Sequence, residues 1–267
     1  MIKVLVENTN IGDELKSEHG LSIYIETLAS KLLFDTGSSG LFLENAEKLG
    51  VNITNVDSLI ISHGHNDHGG GLGPFIEANT KAKIYIGEGA FINRENPKGE
   101  FRGLDLKLQE NSRINFVSKD LFFEDFYIFS MKDLQTPIPV NKYFSYKNGV
   151  REKDDFSDEI YLIVKCKTGL TLISGCCHKG IENAYKVIQD KLDLNKLGKI
   201  TTIIGGLHTK GLIDLEDQYF NEVDKFINDT PCAFYLGHCT GEKELNYLEN
   251  KYKNKVFKLY TGKTFDL

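Results

Sequence analysis

Residues 59–72 read LIISHGHNDHGGGL: three histidines, an aspartate and a glycine run stand directly behind an apolar strand. Such a loop behind a strand suits a layered α/β fold, in which ligands gather where the carboxyl ends of strands meet loops. Neutral imidazole and carboxylate are ligands that suit Zn²⁺, Fe²⁺ or Mn²⁺. His63 and His65 are two apart, so at an extended strand end they point the same way and can share one ion. Asp67 and His68 are adjacent and point apart unless the chain turns between them, which suits a second ion beside the first. Gly69, Gly70 and Gly71 permit the tight turns this needs. Two ions about 3.5–4 Å apart can hold a water between them and lower its pKa toward neutrality. The plainer reading, exposed loop histidines or an incidental metal site, fits poorly with four such groups in six residues.

The same pattern recurs in kind further along. The strand-like run LTLISGCC leads to His178, KITTIIGG to His208, and CAFYLG to His238. A helix is expected after each. In GIENAYKVIQDKL, Ile181, Ala184, Val187 and Ile188 share a face. In LEDQYFNEVDKFI, Phe220, Val223, Phe226 and Ile227 do, and in EKELNYLENKY, Leu245, Leu248 and Tyr252 do. If these strands are neighbours, their histidines converge on one sheet edge. Earlier, KVLVEN, LSIYIET and SKLLFDTGSS read as strands, and GLFLENAEKLG as a helix stopped by Gly50. The seventh histidine, His19, also precedes a strand.

Residues 91–157 differ: they hold nine of the 17 phenylalanines and three of the five prolines, with few clean periods. The segment is too apolar for a disordered linker. It is expected to be an insertion packed on one domain spanning 1–267, as a lid or a dimer contact; extra strands of the main sheet are the alternative. The formal net charge of −6 argues against a nucleic-acid partner. Five widely spaced cysteines do not read as a secreted disulfide framework. No apolar run is long enough for a membrane span, and MIKVLVEN enters a strand pattern without signal-peptide regions. A cytoplasmic protein is expected.

HGHNDH matches the H-x-H-x-D-H signature of the metallo-β-lactamase superfamily, and LLFDTG at 32–37 resembles the strand and turn that precede it there. EHGLS, the DE at 158–159, SGCCHKGIEN, GGLH and GHCTG are similar to the branch of archaeal dihydropterin synthase-like enzymes. The resemblance implies an α/β fold, a four-layered αββα sandwich, with the site at one edge. It implies that Asp35 supports the metal loop without being a ligand. The implied ligands are His63, His65, Asp67, His68, His178 and His238, holding two zinc ions or one, with iron or manganese as alternatives. One departure stands out: Cys176 occupies the strand end where the superfamily places a bridging aspartate. It is either a thiolate substitute or a buried small residue, and the latter reading is the simpler one for Cys177.

Asp67 is a candidate ligand and proton acceptor, and His208 a candidate acid, substrate donor or core histidine. His19, Arg94 and Arg102 are candidate substrate contacts, because arginine forks suit phosphate; a solvated charged loop is the plainer account of NRENPKGEFRG. The branch points to a transferase acting on phosphorylated small molecules, with loss of pyrophosphate. The alternatives are hydrolysis of a phosphodiester, ester or lactone, and a ligand or redox sensor built on the metal site.

Overall fold

The computed structural model describes residues 1–140 and 142–266. Period-2 apolar runs build two seven-stranded sheets. The first contains β1 (Ile2–Val6), β2 (Ser22–Glu26), β3 (Lys31–Phe34), β4 (Ser58–Ile61), β5 (Lys83–Gly87), β7 (Ile114–Val117) and β17 (Thr264–Phe265). Their order is β17-β1-β2-β3-β4-β5-β7. The second contains β8 (Leu121–Phe122), β9 (Phe126–Ser130), β12 (Ile160–Cys166), β13 (Gly169–Ile173), β14 (Ile200–Gly205), β15 (Ala233–Leu236) and β16 (Val256–Lys258), in the order β16-β15-β14-β13-β12-β9-β8.

Alternation along the strands decides what each face meets. Leu32, Phe34 and Ile60 of the first sheet join Ile128, Leu162, Ile173 and Ile204 of the second in the core between the sheets. Leu33, Leu59 and Ile61 face the other way, onto Phe42 of α1 (Leu41–Lys48) and Leu72 and Phe75 of α3 (Leu72–Ala78). On the second sheet, Ile163, Leu172, Ile203 and Phe234 meet α4 (Ile181–Leu194), α5 (Gln218–Asp229) and α6 (Glu242–Lys251) through Ile188, Val223 and Leu248. The result is the four-layered αββα sandwich. Full burial of each such Leu, Ile or Phe contributes about 1.5–3 kcal/mol.

The four helices read from the sequence lie within three residues of their expected bounds at each end. The Phe-rich stretch does not form one insertion. β7, β8 and β9 complete the edges of the main sheets, so Phe126 and Phe129 are ordinary core residues. Only the flanks stand apart: β6 (Arg94–Glu95), β10 (Phe144–Lys147) and β11 (Val150–Lys153) form a separate three-stranded sheet. Among the described residues, no helix is long and apolar enough to cross a membrane.

Candidate metal centre

The histidine-bearing strands split between the sheets. β4 belongs to the first, whereas β13, β14 and β15 are parallel neighbours in the second. Convergence therefore needs the two sheet edges to approach each other, not one edge alone. Gly175 makes this possible, because a side chain there would overlap Ser62 Oγ. The Ile160 amide also donates to the Ser62 carbonyl across the gap (2.8 Å). Chain reversal at the edge uses the left-handed region at Asp35 (φ 58°), Cys177 (57°), His208 (53°) and His238 (48°). Non-glycine residues held there cost about 1–3 kcal/mol each, and such strain gathers at functional sites.

Two donor sets result. In the first, His63, His65 and His178 bring ligand atoms within 4.8 Å of one another. All three are buried. Nε2 of His63, Nε2 of His65 and both ring nitrogens of His178 have no hydrogen-bond partner. Burial is the main cause holding these three imidazoles well below their ordinary pKa, with neighbouring histidines adding to it at His63 and His178. Neutral, buried, unpartnered nitrogens are costly as a purely structural feature and are the donor state a metal ion requires. The residues fit the ion.

The second set holds Asp67, His68 and His238, with His19 above them. His68 Nε2 lies 3.0 Å from His238 Nε2, and Asp67 Oδ2 lies 3.4 Å from His238 Nε2 and 3.2 Å from His19 Nε2. Burial works to neutralise Asp67, but His68, His19 and His238 outweigh it and keep its carboxylate well below the usual range. His68 is also buried; Asp35, 2.7 Å from its Nδ1, and Asp67 overcome that and raise it to about 9. Once an ion binds, the same Asp35 contact fixes the ring and its tautomer. Asp35 also accepts from the Ser62 amide (2.7 Å) and hydroxyl (2.8 Å), which ties β3 to the metal loop.

Several supports had no role assigned from the sequence. Glu7 Oε1 accepts the His238 amide (2.5 Å), and Asn8 Oδ1 lies 3.2 Å from His238 Nδ1. Asp158 accepts the Gly64 amide (2.7 Å), and Glu159 accepts the amides of His178 (2.7 Å) and Lys179 (3.0 Å). The acidic pair at 158–159 thus braces the loops that carry His63, His65 and His178. Phe156 stacks on His178 at 3.8 Å between centroids, and the Tyr143 ring lies 4.4 Å from that of His65. These two aromatics, which flank the β10–β11 hairpin in sequence and lie 6.3 Å apart between ring centroids, roof the first donor set. A hint for Glu7 and Asn8 existed: ENTN is a polar run at a strand's carboxyl end.

A cavity of about 230 Å³ opens beside Asp67 and His65, where the two sets meet the surface, and is also lined by His19, Asn66, Asn96, Arg102 and Tyr143. Arg102 is at this mouth, paired with Glu100 (2.6 Å) and 39% exposed. His19 is 62% exposed and stacks on His238. The expectation for Arg94 needs correction. Its side chain is 1% exposed, bonded to Asp154 (2.6 Å), Asp158 (2.5 Å) and the Ala90 carbonyl (2.9 Å), so it offers no fork to a substrate phosphate. It clamps the small sheet to the metal loop, under Gly64, where a side chain would collide with it. His208 is half-buried, with its Nδ1 unpartnered and its ring 4.3 Å from that of His178.

A family model, that of the metallo-beta-lactamase superfamily, matches residues 17–143. An uncharacterised protein of Methanocaldococcus jannaschii is 28% identical over 254 residues, covering 93% of this chain and 93% of that protein. The 7,8-dihydropterin-6-methyl-4-(beta-D-ribofuranosyl)-aminobenzene-5'-phosphate synthase of the same archaeon is 28% identical over 268 residues, covering 92% of this chain and 89% of the synthase. A crystal structure of a metal-dependent hydrolase of the beta-lactamase superfamily aligns with a TM-score of 0.85 at 28% identity, covering 100% of this chain and 98% of that one.

Proposed function

We propose, from the premise that this chain belongs to the metallo-β-lactamase superfamily, that it is a metal-dependent transferase acting on a phosphorylated small molecule. The observation that carries the reading is the set of buried, unpartnered imidazole nitrogens on His63, His65 and His178, lying beside the Asp67–His68–His238 set. Zinc suits these nitrogen and oxygen donors best. Bound there, it supplies Lewis-acid charge to a phosphoryl or carbonyl oxygen.

The chain's own groups have separable roles. Asp67 is held in its carboxylate form by His68, His19 and His238, which suits it to hold a metal and makes it the weaker candidate to take a proton. His208 presents an unpartnered Nδ1 close to the first donor set and is the group we assign to carry a proton at the reacting oxygen. Arg102 and His19, at the mouth, meet the anionic end of the substrate. Tyr143 and Phe156 keep water from the roofed side, which strengthens every charge interaction beneath them.

Group transfer is favoured by the likeness to the dihydropterin-named synthase along nine-tenths of both chains. Hydrolysis of a phosphodiester, ester or lactone is the second reading, favoured by the likeness to the metal-dependent hydrolase. A redox sensor fits less well, because Cys176 and Cys177 are both buried. The test is incubation of metal-loaded protein with a dihydropterin diphosphate and a ribosylaminobenzene phosphate acceptor, in parallel with a phosphodiester and a lactone. The proposal expects a joined product and released diphosphate, with kcat lowered on the order of 10²–10⁴-fold in His208→Gln at unchanged metal content. Hydrolysis with no joined product would replace it with the second reading.

A further inference from the structure

Two divalent ions carry four positive charges, and Asp67 is the one carboxylate within either donor set. The other acids nearby are already committed. Asp35 is held by His68 and Ser62, Glu7 by the His238 and Thr9 amides, Asp158 by Arg94 and Gly64, and Glu159 by two backbone amides. A second anionic protein ligand would offset more of that charge, and one lying between the sets could serve both.

Cys176 stands there. Its Sγ is 3.1 Å from His68 Nε2. It belongs to three groups of mutually close donors: with His63 and His68, with His178 and His208, and with His238 and Cys239. Among the described residues no other donor belongs to as many. Those groups take in both sets, so one sulfur lies near nitrogens of each. Cys239 lies in only one of these groups, and its thiol is engaged on both sides: Sγ accepts the His208 amide (3.2 Å) and donates to the Cys176 carbonyl oxygen (3.6 Å).

The geometry points to Cys176 Sγ as a ligand that the two donor sets share, with Cys239 positioning it through the Cys176 carbonyl oxygen. On metal binding the thiol proton passes to solvent and the sulfur–metal bonds form; no oxidant or reductant is involved. A thiolate spreads its charge over a larger, softer atom than a carboxylate oxygen does, so the ions should be held by sulfur character that spectroscopy can read.

This inference rests on the metal-dependent reading above, and the test separates the two. Chelator-treated full-length protein is reloaded with Co²⁺, the bound cobalt is counted, and the near-ultraviolet spectrum is recorded. The wild type should bind about two ions and show a thiolate-to-cobalt charge-transfer band. Cys176→Ser should lose the band while keeping the ion of the three-histidine set. Cys239→Ser should keep it, and Cys176→Asp should hold both ions without it. Cobalt bound to the wild type without the band overturns this inference alone, and that result needs no variant to fold. A band that survives in Cys176→Ser or Cys176→Asp, or that disappears in Cys239→Ser, also overturns it. No cobalt uptake by the wild type overturns both this inference and the metal-dependent reading.

Discussion

At the residue scale, the roles written most plainly in the sequence belong to side chains within one short segment. HGHNDH contains four implied ligands, and the structure brings all four to the same place. Asp35 is the outer partner that matters most here, because its carboxylate holds His68 Nδ1 at 2.7 Å and the Ser62 amide and hydroxyl together. Outer partners of this kind tune metal affinity about 10–100-fold. Asp35→Asn should therefore weaken the ion of the second donor set by that factor and the first set less, because Asp35 reaches His63 only through the Ser62 hydroxyl, 2.9 Å from His63 Nδ1. Competition with a chromophoric chelator would resolve two classes of ion in the variant. Equal weakening of both would mean that Asp35 acts on the whole loop and not through His68.

At the scale of elements, the strands ending near His63, His178, His208 and His238 were legible from apolar runs closed by glycine or serine, as were the helices α4, α5 and α6 that follow the last three. Which sheet each strand joins was not, since alternation reports a strand's faces and not its partners. The same gap explains Arg94. Its local sequence, NRENPKGE, reads as a charged loop, and its two carboxylate partners lie 60 and 64 residues away. Glu7 was hidden by a longer separation, 231 residues from the amide it accepts. Replacing Arg94 with Met should leave Asp154 and Asp158 buried beside each other without their cation. Breaking such a pair costs about 3–5 kcal/mol, which lowers the melting temperature on the order of 10 °C in a chain of this length. A variant with wild-type melting and a raised KM would instead return Arg94 to the substrate.

At the scale of the whole molecule, the αββα architecture followed from the resemblance carried by a few motifs, and the structure adds why the layers matter. Each sheet delivers ligands at one end, and the small sheet of β6, β10 and β11 closes over them through Tyr143 and Phe156. The fold therefore concentrates neutral histidines in a dry place, and this should appear in its stability. His63, His65 and His178 titrate lower folded than unfolded, mainly through burial. Below about pH 6.5 the unfolded chain then holds more protons, so stability falls with pH, by up to about 1.4 kcal/mol per pH unit for each histidine. His68, raised to about 9, has the opposite sign: its contribution is complete below about pH 6.5 and is lost as pH rises through 9. Metal-free protein should thus melt at a lower temperature at pH 5.5 than at pH 6.5. A melting temperature that is flat or rising toward acid would show that these imidazoles are not buried as described.

Metal binding by the two donor sets at one edge of the sandwich underlies each of these roles. Elemental analysis of protein purified without chelator or affinity metal tests it most directly. About two ions of zinc, iron or manganese per chain are expected. A chain that contains no metal, and takes none up on incubation with these ions, would contradict it.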